Sequence, residues 1–166
     1  MLSKKIEEAL NAQINAELYS AYIYLAMSAY FESKDLPGMA AWMRAQNDEE
    51  VAHAMKIFTY IIDRGGRVTL DAIDKPQAEW ASPLAVFENA YKHEQHVTSL
   101  IHKLVALTIA EDDYATKNML DWFVDEQVEE EAAAAAIVAK LKMIGDHVPA
   151  LIMLDKELGS RQVGAE

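Results

Sequence analysis

Apolar residues recur at three- and four-residue intervals along most of this chain, the repeat of an α-helix with one buried face. The first such stretch carries Ile6, Leu10, Ile14, Leu18, Ala21 and Leu25; it opens at Ser3, a suitable cap, and runs to about Glu32, before Asp35-Leu36-Pro37-Gly38. A second begins near Pro37, a residue suited to the first helical turn, and continues through Met43, Gln46, Glu50, Ile57 and Ile61 to the stop at Gly65-Gly66. Ser82-Pro83 opens a third, with Phe87, Tyr91, Val97, Ile101 and Leu104, which breaks at Glu111-Asp112-Asp113. Asp112 or Asp113 can cap a fourth, through Leu120, Phe123, Ala134, Ile137, Leu141 and Ile144, ended by Gly145. A short amphipathic piece follows from about Pro149.

The pattern therefore predicts an all-α protein with helices over about 3–32, 37–64, 83–110, 113–145 and 149–159, in one domain spanning residues 1–166. The four main helices are rods of roughly 40–48 Å at ~1.5 Å per residue, lengths that suit a four-helix bundle. Short first and third connections make antiparallel pairs. The middle connection, residues 65–82, is longer than the ~12–15 residues usual as an upper limit in compact domains, and its length lets it cross over along the bundle.

Composition narrows the chemistry. Six glycines and four prolines are too few for a barrel or sandwich of many short strands. The net charge of −12 argues against nucleic acid or an anionic membrane as partner and favours a cationic one. With no cysteine, disulfides, thiolate metal sites and cysteine nucleophiles are excluded, and any metal must be held by oxygen and imidazole. The most apolar stretch, Leu18 to Phe31, is too short to span a bilayer, which takes ~20 apolar residues. Glutamates stand where a signal peptide would be apolar, so the expected location is the cytoplasm.

Several polar residues interrupt the apolar stripes. Glu17 stands three residues after Ile14 and four before Ala21; Glu50 and His53 share one face of the second helix; Glu94 lies between Tyr91 and Val97; Gln127 and Glu130 lie between Phe123 and Ala134. Glu-x-x-His on adjacent turns lets a carboxylate and an imidazole hold one metal. An offset of 77 residues carries Glu17, Glu50 and His53 onto Glu94, Gln127 and Glu130, with a gap of 33 between the first two members of each set. Two helix pairs related by an approximate twofold axis would bring both sets to the middle of the bundle. There, six oxygen and nitrogen donors suffice for two ions, and inward carboxylates without cations would repel one another.

The chain resembles the ferritins, specifically the haem-free bacterial and archaeal kind, over nearly its whole length. The signals are Asn15-Ala16-Glu17, Glu49-Glu50-Val51-Ala52-His53-Ala54-Met55-Lys56, Arg64-Gly65-Gly66-Arg67-Val68, and Trp122-Phe123-Val124-Asp125-Glu126-Gln127-Val128-Glu129-Glu130-Glu131. The resemblance implies a ferritin-like bundle with a ferroxidase centre of two Fe ions per subunit. Glu17, Glu50 and His53 would hold the first iron and Glu94 and Glu130 the second, with Glu50 bridging and Gln127 alongside. It also implies a third, outlying iron site from Glu49, Glu126 and Glu129 with help from Glu130, and a tyrosine beside the centre, Tyr24. The substrates would be Fe(II) with dioxygen or hydrogen peroxide. The ferric product would be stored as mineral in a hollow shell of 24 subunits.

Carboxylates with one imidazole make a hard site that gains more from Fe(III) than from Fe(II), which favours oxidation. Gln127-x-x-Glu130 departs from a symmetric pair of Glu-x-x-His motifs, so the second ion is expected to be held less firmly and passed on. Tyr19, Tyr22 and Ile23 extend the apolar surface of the first helix beyond one stripe, which implies self-association. No haem is expected, because Val51 stands where a bacterioferritin would carry its haem-ligating methionine. A rubrerythrin-type enzyme would add a Cys-rich iron domain and a second Glu-x-x-His, and retention of Glu17, Glu50, His53, Glu94 and Glu130 weighs against a storage subunit without oxidation chemistry. His93, His96, His102 and His147 have no partner pattern and read as surface or interface residues; Trp122 reads as packing.

Overall fold

Ser3 accepts a hydrogen bond from the Ile6 amide at 3.3 Å and opens α1 (Lys4–Glu32) in the computed structural model, which describes residues 2–161. The remaining elements are α2 (Pro37–Asp63), α3 (Pro83–Ala110), α4 (Tyr114–Ile144) and α5 (Val148–Gly159), with no strand among the described residues. Ser82 caps α3 by accepting from the Ala85 amide at 3.1 Å. Of the two aspartates that could cap α4, Asp113 does so, accepting from the Thr116 amide at 3.0 Å, while Asp112 takes the left-handed φ of 53° that turns the chain. His147 Nδ1 accepts from the Ala150 amide at 3.2 Å at the start of α5.

α2 begins without a side-chain cap of its own. Asp155 of α5 supplies one from across the fold, its two oxygens accepting from the Gly38 and Met39 amides at 3.1 and 2.8 Å. The two helices approach so closely here that a Cβ on Gly38 would lie 1.8 Å from the Asp155 carbonyl oxygen, and one on Gly159 would lie 2.9 Å from the Gly38 Cα. Both positions are glycine because nothing larger fits.

α1 packs most extensively on α2 and α3 on α4, so the bundle is built from two hairpins. The middle connection binds along α1. Glu7 accepts from the Arg67 amide at 2.9 Å, Asn11 bonds the Thr69 amide and the Arg67 carbonyl, Asn15 donates to the Ala72 carbonyl at 3.0 Å, and Trp80 stacks edge-on against Tyr30 near the far end. The connection thus crosses over along the bundle.

On α1 the inward stripe differs from the expected one in two places: Leu18 is only partly buried and Leu25 is 42% exposed. Steps of four residues turn ~400° and drift ~40° from the inner face each time, so a ladder built mainly on such steps leaves the core. Gln13, Glu17, Ser20, Tyr24, Met27 and Ser28 are buried on that helix instead. Tyr91 and Ile144 likewise sit partly buried at the edge of the core.

The apolar core is two clusters. One gathers Tyr24, Met27, Phe31, Met43, Phe87 and Leu141; the other gathers Ile14, Ile57, Val97, Ile101, Leu120 and Phe123. Along every main helix, buried polar residues separate the two: Glu17 on α1, Gln46, Glu50 and His53 on α2, Glu94 on α3, Gln127 and Glu130 on α4. No helix of the described residues is long and apolar enough to cross a membrane.

Candidate metal centre

α2 presents Glu50 and His53 on successive turns of its inner face, with His53 Nδ1 3.5 Å from Glu50 Oε2. α1 brings Glu17 to the same point. One ligand atom from each of Glu17, Glu50 and His53 lies within 4.8 Å of the others, and all three residues are buried. His53, Glu126 and Glu130 make a second such group by the same distance; His53 Nε2 is 4.0 Å from Glu126 Oε1. The imidazole thus stands between the two groups, one nitrogen toward each. Trp122 and Phe123 meet it edge-on, with ring centroids 5.3 and 5.9 Å away, and form an apolar wall that orients the ring.

Glu94 lies outside both groups but belongs to the same polar layer. Tyr24 donates its hydroxyl proton to Glu94 Oε1, and Gln127 Nε2 donates to Oε2 at 3.2 Å. The Gln127 amide also reaches the Glu94 carbonyl and Thr98 Oγ1, each at 3.2 Å, so its nitrogen faces α3. Gln13 donates to Glu17 Oε1 and Gln46 to Glu130 Oε2, both at 2.7 Å.

Against these satisfied atoms stand three buried carboxylate oxygens that, among the described residues, accept no hydrogen bond: Glu17 Oε2, Glu50 Oε1 and Glu50 Oε2, the last with the His53 imidazole 3.5 Å away. A buried carboxylate oxygen in that condition is costly. The donor set converging on it is oxygen with one imidazole, which suits iron and other first-row divalent ions. The residues fit a metal.

Electrostatics agree with this. Burial raises the Glu17 carboxyl, against the neighbouring Glu50 carboxyl and the Gln13 amide, and raises Glu50 well above its usual range, with the charges of Glu17 and Glu94 adding. Burial lifts Glu94 to about 7, opposed by its bonds from Tyr24 and Gln127, and lifts Glu130 to about 8 with the charge of Glu94 adding. Burial pushes His53 down to about 4, helped by Lys56, so its ring is neutral and free to ligate at neutral pH.

The residues expected for an outlying site are not gathered into one group. Glu126 stands by His53, Glu129 is exposed, and Glu49 is paired with Arg161 at 2.9 Å. The inward stripes alone do not mark Gln13, Gln46 or Arg161 as parts of the site. The first two do leave a trace, since each is a glutamine one turn ahead of a buried glutamate, and they are 33 residues apart like Glu17 and Glu50. Arg161 leaves none. His93 is also less exposed than expected: its Nε2 lies 2.7 Å from Ser20 Oγ, and burial lowers it to about 4.

The ferritin-like domain family matches residues 7–144. A bacterial non-heme ferritin of Bacteroides fragilis is 46% identical over 161 residues, 97% of this chain and 100% of its own; one from Staphylococcus aureus is 40% identical over the full length of both. Among solved structures, an open pore ferritin from the hyperthermophilic archaeon Archaeoglobus fulgidus is 56% identical and superposes with a TM-score of 0.97, covering 98% of this chain and 100% of that one. A closed form of the Archaeoglobus fulgidus ferritin, engineered by site-directed mutagenesis, is 55% identical with a TM-score of 0.98, covering 99% and 100%.

Proposed function

The chain belongs to the ferritin family, and from that premise we propose that it is an iron-storage protein that oxidises Fe(II) to Fe(III) inside its bundle and deposits the ferric product in the cavity of an oligomeric shell. The observation that carries this reading is the set of three buried carboxylate oxygens on Glu17 and Glu50 that accept no hydrogen bond, beside a neutral His53.

In this reading Glu17, Glu50 and His53 take the first ferrous ion, and Glu94 and Glu130 take the second, with Glu50 bridging. Gln127 lies alongside, and Tyr24 and Gln127 hold Glu94 in place. Glu49, Glu126 and Glu129, with Glu130, receive iron outside the centre. Binding displaces the protons that burial keeps on the glutamates, and carboxylates become progressively better ligands as the ions gain charge. Each ferrous ion gives one electron. Dioxygen takes the pair with two protons and leaves as hydrogen peroxide; where peroxide is the oxidant, it takes the pair and two protons, its O–O bond breaks and two waters form. With no imidazole opposite His53, the second ion is the one released.

Storage needs a container. Tyr22 and Leu25 are 47% and 42% exposed on α1, and Met143, Val148, Ile152 and Met153 expose apolar surface where α4 meets α5. These faces support self-assembly, for which a 24-subunit shell is the expected form, working in the cytoplasm where Fe(II) is available.

The test is aerobic addition of Fe(II) to the metal-free protein. Wild type should oxidise it faster than buffer does, and Glu50→Ala and His53→Ala should lose at least about tenfold, the lower end of what disturbing a metal's surroundings costs. Equal rates in all three would refute the assignment. A stable monomer on size-exclusion chromatography would refute storage.

A further inference from the structure

Arg161 follows α5 by two residues and reaches back over α2, just beyond the crossing of Gly159 on Gly38. Its Nη2 donates to both carboxylate oxygens of Glu49, at 3.0 and 2.9 Å; its Nη1 donates to Gln46 Oε1; and the guanidinium carbon lies 5.1 Å from the centroid of the Trp42 ring. Gln46 is fully buried and its other amide end, Nε2, donates to Glu130 Oε2 at 2.7 Å. An amide can present either end to a neighbour. A guanidinium has only donors, so it selects the amide oxygen and turns the nitrogen toward Glu130.

We propose that Arg161 is a positioning residue for the iron centre: a built-in cation that holds the Glu49 carboxylate and, through Gln46, fixes Glu130 in its hydrogen-bonded orientation. A divalent ion arriving at Glu49 must displace it. The inference rests on the reading that Glu130 and Glu49 meet iron. The ion pair is 29% and 28% exposed on its two sides, so solvent screening leaves it weak enough for a divalent ion to displace. Its effect is to keep an outlying carboxylate from retaining metal while the inner centre fills.

The experiment is titration of metal-free wild type, Arg161→Gln and Arg161→Lys with Co(II), a divalent ion that air does not oxidise at these ligands. It is followed by visible absorption and by anomalous scattering from crystals. In Arg161→Gln the inner ion at Glu17, Glu50 and His53 should bind as in wild type, while the site at Glu49 tightens by up to about fivefold, the factor a part-exposed ion pair can hold. The cobalt spectrum should also change, because Glu130 loses its fixed donor. Arg161→Lys should restore the weak outer site, since its charge still pairs with Glu49, but not the spectrum, since an ammonium lacks the fork that engages Gln46 as well. It also serves if the glutamine variant fails to fold. Variants whose titrations and spectra superpose on wild type would overturn the proposal. A wild type that takes up no Co(II) at Glu17, Glu50 and His53 would overturn the metal-centre reading itself, and the inference with it.

Discussion

The hydroxyl of Tyr24 on α1 donates to Oε1 of Glu94 on α3, a contact between two side chains wholly sealed from solvent. Burial alone would raise Glu94 further than about 7, and this bond is the largest influence that holds it down. Tyr24→Phe removes the donor and leaves the ring. The Glu94 carboxyl should then rise by about one pKa unit, the size of a lost hydrogen bond to a charged group. In a pH series of Fe(II) oxidation, the rate of the variant should fall severalfold near pH 6.5 and recover near 8.5; a profile identical to wild type would show that the bond does not tune the centre.

Glu50 presents two buried oxygens without hydrogen bonds, so in the absence of metal it destabilises the bundle. Glu50→Leu should make the metal-free protein more stable to chemical denaturation, by about 1–4 kcal/mol, while abolishing tight metal binding. Loss of stability in the metal-free variant would mean that the cavity left by the replacement outweighs the relief from two buried oxygens without hydrogen bonds.

pH should act on the metal-free protein in a defined direction. Glu94 and Glu130 have folded values of about 7 and 8, above the ordinary 4.5, so the native state binds more protons than the unfolded one between those limits. Their contribution to stability is complete below about pH 4.5 and is lost as pH rises through 7 to 8. His53, lowered to about 4, has the opposite sign: its contribution is present above 6.5 and is lost as pH falls through 4. The melting temperature of the metal-free protein should therefore drop between pH 6.5 and 9 by more than that of Glu94→Gln/Glu130→Gln. Saturating Zn(II) should remove most of the drop, because the metal replaces the protons.

Where a feature depends on a single helix, the sequence was legible. The caps Ser3, Ser82 and Asp113, the glycine stops and the inward placement of Glu17, Glu50, His53, Glu94, Gln127 and Glu130 all follow from local chemistry and period, and the structure buries all six of those residues. Leu18 and Leu25 fall off the inner face because each four-residue step drifts ~40° around the helix, which an apolar ladder does not register. What depends on distance between helices stayed hidden. The Asp155 cap on α2 joins residues 117 and 116 apart in sequence, and Arg161 meets Glu49 across 112. No periodicity reports such contacts. The approach of Glu126 to His53 is of the same kind: it is set by the rotation of α4 against α2.

Asp155 gives a test of that long-range cap. Asp155→Ala leaves the Gly38 and Met39 amides without acceptors in a buried place, and should cost about 1–3 kcal/mol in denaturant unfolding. Asp155→Asn, which keeps one acceptor, should recover part of it. Equal stability of all three would show that water replaces the carboxylate there.

The polar layer between the two apolar clusters also works as a ruler. Each main helix carries its buried charged or amide side chains in the layer between the two apolar clusters, with hydrocarbon above and below. If any one helix slid along its neighbours by a single turn, ~5.4 Å, a carboxylate or an amide would enter one of the greasy halves and an aliphatic side chain would face the glutamates left behind. Two uniformly oily faces would tolerate that slip, and many registers would be nearly equal in energy. The residues that make the bundle costly to assemble without metal are therefore the ones that leave it a single alignment.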